Sequence, residues 1–196
     1  KCNYCDFLSK EATEEEKEAY VDALIKEIKS YKKFAGNYKV STVFVGGGTP
    51  SCLRAEQTKR IFDALYEIFE FVKHPEMNPG TVDREKLEVY KACGINRLSI
   101  GMQSVKDENL KVLGRIHNFE QLLEAYQLVR EAGFTNINLD LMSSLPSQTK
   151  EEWEEELQKT VELNPEHISA YQLIIEEGTP FYEKYDAHPE LLPNEE

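Results

Sequence analysis

The stretch Val43-Phe44-Val45-Gly46-Gly47-Gly48-Thr49-Pro50 decides the fold. Its β-branched and aromatic start predicts a strand over Lys39–Val45, and the three glycines stop that strand. Glycines that leave a parallel strand expose backbone N–H and C=O groups, so a polar small molecule can lie against the main chain. No Lys-Ser/Thr pair follows the glycines, which excludes a phosphate-binding P-loop. A tight turn that binds nothing is the alternative interpretation.

Strand patterns and helix patterns alternate on both sides of this stretch. With short connections, the alternation predicts parallel strands joined by crossover helices, and five such units if one strand lies around Glu76. Between Phe69 and Asn78 there is hardly room for a loop and a strand. Either this connection is shortened or residues are missing there, and we expect the second. We predict an α/β fold, a partial (β/α) barrel in one domain over residues 1–196. A Thr13–Glu16 capping box predicts the first helix, whose apolar positions recur from Tyr20 to Tyr31. Further helices are predicted over Ala55–Phe69, Asp83–Ala92 and Phe119–Ala132, and Thr149 is predicted to cap a helix that runs through Leu163. The further predicted strands are Arg97–Ile100, Asn136–Leu141 and His167–Ile174.

Composition and charge narrow the class of protein. The 196 residues are enough to bury a sizeable core, and no run approaches the roughly 20 apolar residues of a membrane span. The net charge of −13 argues against a nucleic-acid partner, because phosphate backbones attract basic surfaces. Acidic stretches such as Glu14–Glu18 and Glu151–Glu156 are expected to be solvated helix faces. Four cysteines are too few for a disulfide scaffold, so we predict a reducing, cytoplasmic setting.

Cys2 and Cys5 form a CxxC motif at the edge of the sequence. The spacing alone fits half of a zinc site, a redox pair, half of an iron–sulfur site or an accident. Cys52 and Cys93 stand alone and are expected to be structural thiols. Polar residues also recur at the carboxyl ends of the predicted strands, where parallel barrels place their chemistry. These strand-end residues are Glu76, Gly101–Ser104, Asp140 and Gln172, whereas the histidines His74, His117, His167 and His188 are expected to pack or lie at the surface.

Together these motifs resemble the radical S-adenosylmethionine (SAM) superfamily, whose signature is CxxxCxxC followed by a GGGTP-type strand end. Cys2 and Cys5 match the second and third cysteines, and we expect the first just upstream of Lys1. The implied fold is a partial (β/α)6-type barrel whose N-terminal strand and C-terminal region are missing. Within the superfamily the chain resembles the oxygen-independent coproporphyrinogen III oxidase family. The residues that carry this resemblance are Cys2–Phe7, Val45–Leu53, Glu76–Thr81, Asn96–Ser104, Leu113–His117, Asn138–Gln148 and His167–Pro180.

The resemblance implies cofactors and contacts. Cys2 and Cys5 would bind a [4Fe–4S] cluster, with one iron free to chelate SAM. The residues implied to contact SAM are Gly47, Gly48 and Thr49 at its methionine end, Tyr4 beside the adenine, Ile174 through its backbone, and Glu76, Gln103, Arg115 and Asp140. Structural alternatives stay open: Arg115 as a helix-end cap, Asp140 as a loop tie, Gln103 as a partner of barrel-end amides, Glu76 as a solvated residue and Tyr4 as a shield for the cluster.

The resemblance also implies a reaction. In this family, reduction of the cluster cleaves SAM to methionine and a 5′-deoxyadenosyl radical, and the oxidase then converts porphyrinogen propionates to vinyl groups. True oxidases carry Gly-Cys after the third cysteine, whereas Asp6-Phe7 stand here, as in the heme-chaperone branch. The expected partners are a tetrapyrrole, either heme or coproporphyrinogen III, and an electron donor protein. A true oxidase, another radical SAM enzyme such as a methyltransferase, a zinc-binding module and a barrel scaffold without a cluster are the alternatives.

Overall fold

The computed structural model describes residues 1–8, 10–71 and 83–193, and the backbone of residues 76–77. The chain divides into two units, of which unit 1 comprises Lys1–Ser9, Ile100–Gln127 and Asn136–Glu196, and unit 2 comprises Lys10–Ser99 and Leu128–Thr135. The elements are α1 (Glu14–Ser30), α2 (Lys32–Ala35), β1 (Phe44–Val45), α3 (Ala55–Ile68), β2 (Glu76–Met77), α4 (Arg84–Ala92), β3 (Arg97–Gln103), α5 (Asp107–Val112), α6 (Phe119–Glu131), β4 (Ile137–Ser143), α7 (Lys150–Glu162), β5 (His167–Gln172) and α8 (Pro180–Tyr185).

The described strands form a parallel sheet in the order β1-β2-β3-β4-β5, which is also their order along the chain. Phe44 pairs with Glu76 between β1 and β2, and Glu76 pairs with Arg97 between β2 and β3. In unit 1, β4 and β5 pair from Asn138 opposite His167 to Ser143 opposite Gln172. Parallel strands that alternate with helices confirm the predicted α/β class.

In unit 1, β4 is buried at five of its seven positions. Burial on both faces is the pattern expected of a parallel strand that helices cover on both sides. The amino-terminal segment joins this unit through two backbone hydrogen bonds, from Asn3 N to Leu113 O at 2.9 Å and from Phe181 N to Asn3 O at 3.0 Å. An apolar cluster lies beneath it, formed by Leu113, Met142, Leu145, Leu173, Phe181 and Tyr185.

In unit 2, α1 begins at the predicted capping box. Glu16 N donates to Thr13 Oγ1 at 3.2 Å, and Thr13 N donates to Glu16 Oε2 at 2.9 Å, so both backbone donors are satisfied. α1 packs against α3, and the Glu18 carboxylate accepts from Arg54 and Gln57 at 2.9 and 2.8 Å. The Thr13 capping prediction is therefore confirmed.

The structure departs from the sequence predictions at several element ends. The strand predicted over Lys39–Val45 is regular only at β1, with one isolated bridge between Val40 and Phe71. β3 runs three residues beyond the predicted end at Ile100, and a strand does form at β2, where room appeared too short. Residues 72–75, which contain His74, lie outside the described residues. The short helices α2, α5 and α8 were not predicted, because their few apolar positions give no helical periodicity.

One charge prediction was wrong. Glu156 was expected on a solvated face with its acidic neighbours, yet its side chain in α7 has 0% of its surface exposed. Its position on the helix turns it inward, where Ser104 and Asn109 donate to its Oε1 at 2.7 and 2.9 Å. No helix in the described part of the chain is both long and apolar enough to cross a membrane.

Candidate functional site

The CxxC motif folds as a turn held on the carboxyl end of α5. Cys5 N donates to Cys2 O at 3.3 Å, and both thiols are free and partly buried. Asn3 lies over Gly114, whose φ is +72°, and a Cβ atom there would stand 2.9 Å from the Asn3 side chain. Gly114 is therefore required both for its backbone conformation and for the close approach of the motif.

Arg115 connects this turn to the end of β3. Its Nη1 donates to Cys2 Sγ at 3.7 Å, and its Nη2 donates to the Gly101 carbonyl at 2.7 Å. Its Nε is buried without a partner among the described residues. The side chain thus bonds to a thiol and to a strand carbonyl rather than to helix carbonyls, which places a positive charge where a thiolate would be stabilised.

The carboxyl end of β3 has an unusual backbone. Gln103 has a φ of +68°, which lies in the left-handed region that side-chain-bearing residues seldom adopt, and its side chain is almost fully buried. A Cβ atom on Gly101 would stand 2.9 Å from Gln103 Nε2 and 3.2 Å from Arg115 Nη2. Glycine at position 101 therefore leaves the space in which these two polar side chains converge.

Residues of β4 and β5 adjoin this group of polar side chains, although Asp140 lies in the middle of β4 rather than at its predicted end. On β4, Asp140 Oδ1 accepts from Asn138 Nδ2 at 2.7 Å. On β5, the Tyr171 hydroxyl donates to Gln103 Oε1 at 2.5 Å. Burial, followed by the negative charge of Asp140, raises the pKa of Tyr171 to about 12, while Arg115 opposes the rise. The phenol therefore keeps its proton at neutral pH and can act as a donor.

Tyr4 and Ile174 lie differently. The Tyr4 ring packs against Phe181 with 6.4 Å between ring centroids, and it also contacts the apolar cluster of unit 1. Burial raises the pKa of Tyr4 well above its usual range, although Arg115 opposes the shift. Ile174 has 65% of its side chain exposed. Tyr4 is therefore a packed residue of the CxxC turn, and Ile174 stands open beyond β5.

The glycine-rich loop belongs to unit 2. Gly47 has a φ of +97°, and no atom lies within 4 Å of the position of an added Cβ, so conformation rather than space requires glycine there. The loop from Gly46 to Thr49 is exposed, and Cys52 N donates to Thr49 O at 3.0 Å. The exposure of this main chain is as predicted, and binding of a polar small molecule there stays a prediction. The backbone of Glu76 lies in β2 of the same unit, and its side chain lies outside the described residues.

Unit 1 therefore brings together Cys2, Gln103, Arg115 and Asp140 from the sequence predictions. It adds Tyr171, which the sequence reasoning missed because Gln172 was chosen at the end of β5. Consecutive strand residues point to opposite faces, so the neighbour of the chosen residue is the one that meets Gln103. Residues two apart in a strand point to the same face, so Tyr171 shares a face with buried Leu173. This alternation is the sequence signal that could have identified Tyr171.

His117 and His167 were expected to have no catalytic or metal role. Burial and the charge of Arg115 lower the pKa of His117 to about 4, so its ring is neutral near pH 7. The His167 Nδ1 atom lies 2.5 Å from Asn138 Oδ1. Neither histidine lies within a cluster of potential metal ligands in the part of the chain that the structure describes.

The donor set allows a test of which metal group fits. In the described ranges, no three His, Cys, Asp or Glu residues come together as a metal site. A zinc site built only from these residues is therefore not formed. The two partly buried thiols, with Arg115 beside one of them, have the soft sulfur chemistry of iron–sulfur cluster ligands, and they would supply two of the ligands such a cluster needs.

Comparison with known proteins identifies the family. The model of the radical SAM superfamily matches residues 1–160. The heme chaperone HemW of Escherichia coli (strain K12) is 38% identical over 100% of this chain and 52% of its own length, and HemW of Bacillus subtilis (strain 168) is 37% identical over 92% and 49%. The chain thus spans about half the length of these curated relatives.

A solved structure is also similar. Coproporphyrinogen III oxidase (HemN) from Escherichia coli, a radical SAM enzyme, superposes with a TM-score of 0.86 at 30% identity, covering 99% of this chain and 46% of that one. The residues matched by the family model include the CxxC turn, the glycine-rich loop and the strands β1 to β4. This chain belongs to the radical SAM superfamily.

Proposed function

We propose that this chain forms the cluster- and SAM-binding part of a radical SAM protein. The observation that carries the proposal is the Cys2–Arg115–Gly101 connection, which links the Cys2 thiol of the CxxC turn to the carboxyl-terminal half of β3. Cys2 and Cys5 would be two cluster ligands, and a third ligand would lie outside the described residues. When bound, the cluster supplies the electron that cleaves SAM reductively.

The chain's own residues would bind and orient SAM. The exposed backbone of Gly47, Gly48 and Thr49 offers hydrogen bonds to the amino and carboxylate groups of its methionine end. The Asp140 and Glu76 carboxylates suit an ammonium group or ribose hydroxyls, and the Gln103 amide suits an acceptor oxygen. Arg115 would stabilise the Cys2 thiolate, Tyr4 would lie by the adenine, and Ile174 would contribute a backbone contact.

We further infer that the whole protein binds heme and passes it on, rather than oxidising coproporphyrinogen III. The support is the identity of 38% and 37% to two HemW heme chaperones, together with Asp6-Phe7 where oxidases carry Gly-Cys. An electron donor protein would be the second partner, and a reducing cytoplasm the setting. The second candidate is the oxidase itself, which the structural match to HemN favours.

SAM cleavage tests the first proposal. The whole protein is reconstituted anaerobically with iron and sulfide and reduced, and 5′-deoxyadenosine is measured after SAM is added. We expect nucleoside formation that falls at least tenfold in Asp140→Asn and stays unchanged in the surface control Gln158→Ala. An inactive reconstituted wild type, or an Asp140→Asn variant as active as the wild type, contradicts the proposed site.

Heme titration and porphyrinogen turnover test the second proposal. We expect stoichiometric heme binding by the whole protein and no vinyl product from coproporphyrinogen III under conditions that cleave SAM. Vinyl product at a rate matching nucleoside formation would instead establish the oxidase.

A further inference from the structure

Tyr171 lies near the end of β5. Its hydroxyl is hydrogen-bonded although the residue is partly exposed. Its hydroxyl lies 2.5 Å from Gln103 Oε1, while 40% of the side chain is exposed. A surface tyrosine needs no such bond, because water can satisfy a phenol that faces solvent. The contact instead joins β5 to the strained end of β3 inside unit 1.

The direction of this hydrogen bond follows from the two groups that form it. An amide oxygen can only accept a hydrogen bond, so the Tyr171 hydroxyl, which keeps its proton at neutral pH, is the donor to Gln103 Oε1. Gln103 Oε1 is then the acceptor, and the amide nitrogen must point the other way. Gln103 Nε2 lies over Gly101, 2.9 Å from the position of an added Cβ, on the side where Arg115 also lies.

The backbone conformation of Gln103 restricts the orientation of its side-chain amide. A non-glycine residue at a φ of +68° is strained, and this conformation persists only where the surrounding structure determines it. The Gln103 side chain is 4% exposed, so few other amide orientations are open to it. The backbone conformation of Gln103 sets the direction of its side chain. The hydrogen bond from Tyr171 then determines which end of the amide faces the proposed SAM site.

We propose that Tyr171 is a positioning residue that holds the Gln103 amide with its N–H donors toward the bound SAM. This inference rests on the proposed function. It also specifies the chemistry that Gln103 recognises, which is a hydrogen-bond acceptor such as a carboxylate or ribose oxygen of SAM. Tyr171 acts through Gln103 and need not touch the ligand.

Replacing the hydroxyl tests the proposal. In the reconstituted whole protein, Tyr171→Phe keeps the ring, frees the amide to rotate, and should weaken SAM binding by about fivefold to tenfold in equilibrium dialysis. The KM for SAM should rise by a similar factor while kcat stays within about twofold. Tyr126→Phe is the matched control in the same unit, because it removes a hydroxyl that donates to Leu163 O at 2.9 Å. It should leave SAM binding unchanged.

A double-mutant cycle separates positioning from a general loss of structure. In the Gln103→Ala background, Tyr171→Phe should weaken SAM binding less than twofold further. Gln103→Glu should lose binding by more than Tyr171→Phe, because a carboxylate can still accept from Tyr171 but offers no donor to the ligand. Equal thermal unfolding midpoints for Tyr171→Phe and Tyr126→Phe would show that folding is not the cause.

The outcomes distinguish the two proposals. A wild type that binds SAM normally, with Tyr171→Phe binding equally well, overturns the positioning role alone. The positioning role is also overturned if Tyr171→Phe weakens SAM binding as much in the Gln103→Ala background as it does in the wild type. A reconstituted wild type that does not bind SAM overturns the proposed function and this inference with it.

Discussion

Arg115 places a positive charge beside one of the proposed cluster ligands, with its Nη1 3.7 Å from Cys2 Sγ. A cation that donates to a ligand sulfur stabilises the more negative, reduced state of a cluster, so its removal should lower the reduction potential. We expect Arg115→Gln to shift the one-electron midpoint downward by a tenfold change in the redox equilibrium, about 59 mV. An EPR-monitored titration of the reconstituted protein measures this shift.

Two variants serve as references for Arg115→Gln. Arg115→Lys keeps the charge and should retain part of the potential, whereas Arg54→Gln removes an exposed charge that pairs with Glu18 in unit 2. Identical potentials in the wild type and Arg115→Gln would mean that the contact with Cys2 Sγ has no electrostatic role.

A substitution at Gly101 tests whether the side chains of Gln103 and Arg115 need the space beside this glycine. An alanine Cβ there would crowd Gln103 Nε2 at 2.9 Å and Arg115 Nη2 at 3.2 Å. We expect Gly101→Ala to weaken SAM binding at least tenfold, with a loss of about 1–2 kcal/mol in the free energy of unfolding. Gly36→Ala is the control, because nothing lies within 4 Å of its added Cβ. Normal SAM affinity in Gly101→Ala would show that these side chains do not form the site.

At this scale the sequence identified side chains but not their contacts. Gln103 and Asp140 were identified by their positions at predicted strand ends, Cys2 by the CxxC motif, and Arg115 by the family resemblance alone. Tyr171 was not found, because its partner Gln103 is 68 residues away and only strand pairing brings them together. The roles of all these residues toward SAM stay predictions until binding is measured.

At the scale of elements, α7 carries a buried carboxylate in an acidic helix. Burial raises the pKa of Glu156 above its ordinary value of 4.5, although Ser104, Asn109 and Lys106 oppose the rise. The folded state therefore holds this proton more tightly than the unfolded chain. The group costs no stability below about pH 4.5 and becomes destabilising as the pH rises through its folded value.

Glu156→Gln should isolate this effect. Relative to the variant, the wild type should lose unfolding free energy as the pH rises above about 4.5, by about 1.4 kcal/mol for each unit by which folding raises the pKa of Glu156. Urea unfolding at several pH values provides the measurement. Glu155→Gln is the neighbouring control with the opposite sign, because Lys159 and Lys106 lower the pKa of Glu155. A pH-independent difference for Glu156→Gln would contradict the buried, proton-retaining carboxylate.

Element types were more predictable than element ends. Thr149 caps α7 through Glu152 as the sequence predicts, because a capping box is a local pattern. The inward turn of Glu156 was not predictable in the same way, since the run Glu154–Glu156 has the composition of a solvated face. Burial of a charged side chain depends on Ser104 and Asn109 across the fold, and local periodicity does not contain them.

At the scale of the whole molecule, alternating strands and helices were sufficient to predict a parallel α/β fold. The prediction of a single domain over residues 1–196 is not tested by the fold, because the chain divides into two units. β3 contributes residues to both units, since Arg97–Ser99 belong to unit 2 and Ile100–Gln103 to unit 1. We therefore propose one cooperative domain. Thermal unfolding should give one transition with coincident near- and far-ultraviolet circular dichroism, whereas two separated transitions would show independent domains.

The central claim is that Cys2 and Cys5 ligate an iron–sulfur cluster, and iron and sulfide analysis after anaerobic reconstitution of the whole protein tests it most directly. We predict about four irons and four sulfides per chain in the wild type. Cys5→Ala should lose most of both, and the exposed-thiol control Cys52→Ala should match the wild type. Equal iron and sulfide in Cys5→Ala and Cys52→Ala, or none in the wild type, would contradict the account.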